Sequence, residues 1–347
     1  MVFSSFISSI GIGAVHNMCK PEEFNGAEEP KMMQPANDFF TKLGQECVSK
    51  CITVDLFFAF APKQAVSSCN IATLAPVAGI SGGDVILYSK FDVMVHGEKL
   101  YFQIFRNMTR VVGTEVAIKL RLSTGYSVSD YIGSFMRYQA PNIDLSSIDA
   151  DKTISCLIKN DEKLENGTHV FAQFAMLYTD MDGRRMIRVM NFQWIVSVSI
   201  YNYFKSADVE NVAQFKIRNE LSQAQKKGAK NTKEKLLNDL IEMLHNYRSL
   251  CANQTNPSQL VLPETLTMLP LYILSVIKTP GFKLLTACSL DEKIYYIYKL
   301  TSLSMETFPY ILYPRVYPVQ AIGETESFGL QDPDTQFIVK PHAVACK

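Results

Sequence analysis

The chain has 347 residues, with 34 basic and 34 acidic side chains and no net charge at neutral pH. That balance excludes the broad basic field of a nucleic-acid or anionic-membrane binder, so any electrostatic site must be a local patch. Apolar residues make up 47% of the sequence, enough to fill the cores of two or three domains.

In chain order, Met1 to Val15 reads as a buried strand with a glycine-rich exit, and the acidic, proline-containing run from Pro21 to Pro35 as a surface loop. Asn37 to Lys50 places Phe39, Phe40, Leu43 and Cys47 at three-four spacing with Asp38 near its start, which predicts a helix. Ile52 to Ala61 (ITVDLFFAFA) is a short, nearly continuous apolar run, which predicts a strand covered on both faces. The pattern then repeats: a helix over Ser67 to Val77, a break at Ser81-Gly82-Gly83, a strand over Asp84 to Tyr88, and a closing helix from Phe91 to about Arg110 with Leu100, Phe102 and Phe105 as its apolar positions. Helix followed by strand predicts an α/β layer. A doubly wound domain needs more strands than these, so the chain reads as a fragment whose fold begins before Met1.

From Val111 the pattern changes to alternation, in Glu115 to Leu122, Tyr131 to Tyr138 and Asp151 to Ile158. Thr168 to Val196 reads as two β-rich runs on either side of DMDG, the composition of an antiparallel hairpin with Gly183 at positive φ. Met186, Arg188, Met190, Phe192 and Trp194 share one side of its second strand, so a cation there faces water or an acidic partner. An antiparallel sandwich running to about Tyr203 follows from these strands. Val209 to Gln225, Thr232 to Leu250, Leu262 to Lys278 and Asp291 to Leu303 then carry helical periodicity. Lys226, Lys227, Lys230, Lys233 and Lys235 cluster at one helix junction, either as a solvated loop or as a contact for a membrane surface or acidic partner. Beyond Pro309, Gln336 to Ala345 reads as a final strand able to rejoin the sandwich.

The marks of catalysis are missing. There is no P-loop, HExxH or GxSxG, and the five histidines are isolated. Asp149 and Asp151, like Asp180 and Asp182, lie in turn-like contexts where aspartate bonds its own backbone. Eight scattered cysteines read as reduced, cytosolic thiols, and Cys47 and Cys51 have no nearby Cys or His to complete a metal set. The N-terminus lacks the basic start of a signal peptide, and Leu266 to Ile277 is too short for a bilayer and contains Pro270. No catalytic residue and no metal ligand is assigned.

Five stretches resemble a known family: SSIGIGAV with its acidic loop; ITVDLFFAF followed by ATLAPVAGISGGDVILYSKF; GTEVAIKLRLSTGYSV with YIGSF; AMLYTDMDGRRMIRVMNF; and LPETLTMLPLYILSVIK leading to YPRVYPV. Their order is similar to that of the cargo-adaptor subunit of the inner COPII coat, the Sec twenty-four family. The resemblance implies a multidomain α and β chain. Residues 1–110 would be the later part of a von Willebrand A-like α/β trunk, 111–203 an antiparallel β-sandwich, 204–308 an all-α helical domain, and 309–347 a linker and strand returning to the sandwich. The family's zinc finger and early trunk would lie before Met1 and its gelsolin-like domain after Lys347, so its structural zinc would have no ligands in this chain.

The functional implications follow from the same resemblance. Such an adaptor is no enzyme: it binds sorting-signal peptides of cargo and SNARE proteins, forms a heterodimer with the GTPase-activating COPII subunit, meets the small GTPase Sar indirectly, and sits peripherally on ER exit sites and vesicle membranes without touching nucleic acid. The sister GTPase-activating subunit shares the architecture; no matching arginine finger can be placed here, and GRRMIRV is closer to the adaptor. Family arginines that receive acidic signals correspond to the run Arg184, Arg185, Met186, Ile187, Arg188, with Met186 where many relatives carry arginine. Arg188 and Arg185 are the expected cargo-binding residues, with Arg188 ranked first because the two differ by an odd number and face opposite ways.

Overall fold

A computed structural model of the chain describes residues 1–5, 8–15, 29–60, 69–136, 142–251, 261–282 and 289–312. The expected final strand over Gln336 to Ala345 lies outside the described residues.

The first part is a parallel sheet of β1 (Val2–Ser4), β2 (Leu56–Ala59) and β3 (Val85–Tyr88), in that order. β2 is central, and Leu56, Phe57 and Phe58 are buried as the continuous apolar run requires. β1 corrects the expectation of a buried strand: among the described residues it pairs with β2 alone, and Val2 and Phe3 are exposed. Between the strands lie α1 (Glu29–Met32), α2 (Phe39–Ser49) and α3 (Ile71–Ser81). α3 begins later than expected because Asn70, at φ 56°, accepts the Thr73 N–H and caps it. Ile71 to Ala78 are all buried, so this helix is apolar all round and lies inside the molecule.

α4 (Val93–Thr109) follows β3, capped by Asp92, which accepts the Met94 N–H. None of its residues is buried, and Phe102 and Phe105, among the apolar positions from which the helix was expected, are exposed. Polar ties hold it instead: Gln103 accepts from the Tyr88 hydroxyl at 2.6 Å, and Arg106 and Arg110 reach the acids of the following domain.

The sandwich pairs a four-stranded antiparallel sheet, ordered β6 (Asn142–Asp149), β4 (Val112–Leu122), β8 (His169–Thr179), β9 (Arg185–Ile195), with a ladder of β5 (Tyr126–Ile132) and β7 (Ser155–Asn160). Val116, Ile118, Ile143, Leu145, Tyr131 and Phe135 form the core between them. β5 replaces the strand expected from Tyr131: only its last two residues coincide. β6 is an unexpected strand, because its sequence NIDLSSID is half Ser and Asp; Ser146 is nevertheless fully buried.

After α5 (Ile200–Ser206) come the long α6 (Val209–Lys227) and α7 (Ala229–Cys251), then α8 (Leu269–Ile277), α9 (Leu290–Ser302) and α10 (Phe308–Leu312). The single helix expected over Leu262 to Lys278 is a 3₁₀ turn at Glu264–Leu266 followed by α8, with Pro270 within α8's first turn, where its missing N–H is harmless. Ser289 and Glu292 form a reciprocal capping box at the start of α9. One apolar cluster joins Leu56 and Phe58 of β2, α3, and Ile217, Leu221 and Ile294 of the helices, so the trunk-like sheet and helical part share a core. Asp291 tightens that joint by accepting the N–H groups of Cys69 at 2.6 Å and Ile71 at 2.8 Å.

A charged joint ties the sheet to the sandwich. Arg110 reaches Asp84 at 2.9 Å and Asp149 at 3.2 Å, and Lys152 reaches Asp84 at 2.6 Å. Among the described residues no helix is long and apolar enough to cross a membrane.

Candidate functional site

The β8–β9 hairpin forms as the sequence predicts. Its ladder runs without a break from Thr179 opposite Arg185 to His169 opposite Ile195. The connecting loop is closed by Asp180, whose Oδ1 accepts the N–H groups of Asp182 and Arg184 at 3.0 and 2.8 Å, while its own N–H donates to the Arg184 carbonyl at 2.9 Å. Gly183 turns the chain at φ 78°.

The three arginines at this turn have different fates. Arg184 pairs with Asp182 at 2.7 Å in solvent. Arg185 donates to the Glu115 carbonyl at 2.7 Å and to the Thr179 hydroxyl at 3.0 Å, and lies 3.6 Å from the Glu115 carboxylate. Glu115 is available for this because β4 bulges there: the β4–β8 register shifts between Thr114 and Ala117, and Glu115 stands at φ 51°. Nothing in the alternation of EVAIKLRL announces that bulge, so the engagement of Arg185 was not legible in the sequence. Arg188, directly opposite Met176, is exposed and has no acid or acceptor partner among the described residues.

With no bulge in β9, the two candidates face opposite ways, as the odd spacing predicts. Arg185 lies on the outer face. Arg188 shares its face with Phe174, Met176 and Tyr178, which pack against the sandwich core. Along β9 that face runs on past the cover of the second sheet, leaving Met186, Met190 and Phe192 at 39%, 42% and 49% exposure around Arg188. β9 is also the sheet's edge, pairing among the described residues with β8 alone, so its outer backbone groups are open to another strand. Chemically this is a strand-shaped surface with one free guanidinium in an apolar row. It can hold an extended segment by its backbone, a carboxylate by charge and an aliphatic side chain by contact.

Cys47 and Cys51 do not share a helix: α2 ends at Ser49 and Cys51 follows it at φ 55°. Among the described residues no group of three His, Cys, Asp or Glu side chains could hold a metal ion.

Comparison with known proteins accounts for this arrangement. The Sec23/Sec24 trunk domain matches residues 1–108, the Sec23/Sec24 beta-sandwich domain 113–197, and the Sec23/Sec24 helical domain 208–308. Protein transport protein SEC24 B of Arabidopsis thaliana is 32% identical over 331 residues, 94% of this chain and 30% of that protein. Human Sec24C is 27% identical over 311 residues, 88% of this chain and 28% of that protein. The crystal structure of the human COPII-coat protein Sec24c superposes with a TM-score of 0.81 at 25% identity, over 90% of this chain and 40% of that one. The chain thus spans roughly a third of the length of these curated relatives. With the trunk, β-sandwich and helical domain models matched in the family's order, and Sec24 proteins among its relatives, the chain belongs to the Sec23/Sec24 family.

Proposed function

We propose that the protein carrying this chain is a cargo adaptor of the COPII coat that receives acidic sorting signals of ER membrane cargo along β9. The observation that carries the site is the free guanidinium of Arg188 amid exposed Met186, Met190 and Phe192 on an open sheet edge. A guanidinium fork suits a carboxylate, and methionine adapts to varied aliphatic neighbours. Arg185, already satisfied by Glu115 and Thr179, contributes by fixing the hairpin on β4 and only secondarily by its charge.

In this reading the protein has no catalytic residue. It pairs with the GTPase-activating coat subunit, meets Sar through that partner, accepts signals from cargo and SNARE proteins, and stays peripheral at ER exit sites. The names of the relatives favour the adaptor over its sister subunit. Fluorescence titration of the chain with a labelled Asp-x-Glu peptide tests the proposal. Saturable binding that disappears for the Asn-x-Gln peptide supports it, and equal binding of the two peptides contradicts it.

A further inference from the structure

A cleft of about 750 Å³ opens between β3, α4 and α9, on a different part of the molecule from Arg188. Its lining is rich in donors. Lys99 of α4 and Lys299 of α9 both border it, and neither has an acid within ion-pair distance among the described residues. Each instead lies over an aromatic face, Lys99 at 5.8 Å from the Tyr88 ring centre and Lys299 at 5.5 Å from that of Tyr295. Gln103 spends its amide oxygen on the Tyr88 hydroxyl at 2.6 Å, which leaves its two N–H donors for another partner.

Two of the three acids of the lining are already engaged. Asp84 is held by Arg110 and Lys152, and Asp151 by Arg106 at 2.6 Å. Glu306 also borders the cleft, and the only effect shown for its charge is a minor one on Arg106, not on either lysine. Neither Lys99 nor Lys299 has an acid in ion-pair contact among the described residues, so their charges are not paired. Burial lowers the pKa of both ammonium groups, and the nearby Lys299 ammonium lowers that of Lys99 further. Burial pushes the Tyr88 and Tyr295 hydroxyls up to about 12, so both remain protonated at neutral pH.

We propose that this cleft is a phosphoryl-binding site, with Lys99, Lys299 and the Gln103 amide receiving the oxyanion and the exposed Phe102 and the β3 wall receiving the body that carries it. Charge decides for phosphoryl over carboxylate. A phosphomonoester brings about −1.5 to −2 at neutral pH and offsets both ammoniums, whereas one carboxylate would leave a net positive charge in the cleft. Lysine suits the task because it binds phosphate as a point charge. The cleft is far larger than an inorganic ion, so the phosphoryl group belongs to a larger molecule.

The test is calorimetric titration of the 347-residue chain with phenyl phosphate at low salt. Saturable binding is expected, weakened about tenfold by Lys99→Gln and again by Lys299→Gln, since each removes one charge-assisted contact. Lys299→Arg should keep most of the binding and Arg188→Ala all of it, which separates this site from the one on β9. Lys99 is exposed, so Lys99→Gln reports on binding without disturbing the fold. Sedimentation with phosphatidylcholine vesicles carrying phosphatidylinositol 4-phosphate distinguishes the source: co-sedimentation lost in the lysine variants assigns a lipid headgroup, and its absence beside phenyl phosphate binding assigns a soluble phosphate ester. Benzoate binding as tightly as phenyl phosphate, or a double lysine variant that binds like wild type, would overturn the proposal.

Discussion

Lys293 of α9 donates to Glu29 of α1 at 2.7 Å across 264 positions of sequence, with both side chains buried at 2% and 7% exposure. Two ions were taken out of water to make this contact, so its two halves are worth little apart. Glu29→Ala leaves a buried ammonium without a counter-charge and should destabilise the chain by about 3–5 kcal/mol, while Glu29→Leu with Lys293→Met should recover most of that loss. Urea unfolding of both variants checks this, since a double variant as unstable as the single one would show that the volume of the side chains matters more than their charge.

Gly83 is a second position where one substitution should be severe. A Cβ there would stand 1.9 Å from the Val54 carbonyl oxygen, a backbone atom that cannot rotate away. Gly83→Ala is expected to cost about 2–4 kcal/mol. Gly183→Ala is a useful contrast, because φ is 78° but nothing lies within 4 Å of the added atom. Its cost should be about 1 kcal/mol of backbone strain alone. Thermal melting ranks the two, and similar losses would refute the steric argument.

These cases also show what was readable in the chain. The buried strand LFFA, the hairpin around DMDG and the helices α6, α7 and α9 follow from periods that a core imposes directly on sequence. β6 was hidden because Ser146 and Ser147 look like loop residues, although Ser147 pairs with Thr114 of β4 and Ser146 is fully buried. The outward turn of Phe102 and Phe105 was hidden for the opposite reason: α4 carries an apolar pattern, but polar ties rather than that face hold it to the rest of the chain. At the candidate site, opposite facing of Arg185 and Arg188 followed from strand geometry. Their different occupancy depended on Glu115, 70 residues away from Arg185 and made accessible by a bulge.

The joint between sheet and sandwich should respond to acid. Burial pushes the Asp84 carboxyl up, but Lys152 and Arg110 outweigh it and hold the carboxyl below its ordinary value, whereas burial dominates at Asp149 and raises it. A carboxyl depressed by folding contributes stability above its unfolded pKa, about 3.9, and loses it as pH falls through the folded value. A raised one opposes folding at neutral pH, and that penalty fades as pH falls through its folded pKa. Asp84→Asn should therefore lower stability at pH 7 and flatten the acid limb below about pH 4, while Asp149→Asn costs less at pH 7. Unfolding midpoints across that range check the order, and an unchanged acid limb in Asp84→Asn would contradict it.

Membrane attachment should depend on the coat partner. Of the lysines at the α6–α7 junction, Lys235 is bonded to Asp239 and Lys227 lies 4.0 Å from Glu220, which leaves few charges to contribute about 1 kcal/mol each near an anionic surface. Liposome flotation of the chain alone should be weak and abolished by salt. The full-length protein should co-elute with the GTPase-activating coat subunit at micromolar concentration, and separate elution would contradict the pairing.

The most direct test of the adaptor reading is the affinity of Arg188→Ala for a labelled Asp-x-Glu peptide, measured beside wild type and Arg185→Ala. Loss of a free guanidinium's charge-assisted contact, worth roughly 1.5–3 kcal/mol, predicts binding weakened about tenfold or more with the melting temperature unchanged. Arg185→Ala should weaken binding less and destabilise the hairpin slightly, because its partners are Glu115 and Thr179. Equal affinities of wild type and Arg188→Ala would contradict the account and leave Arg188 a solvated side chain on an edge strand.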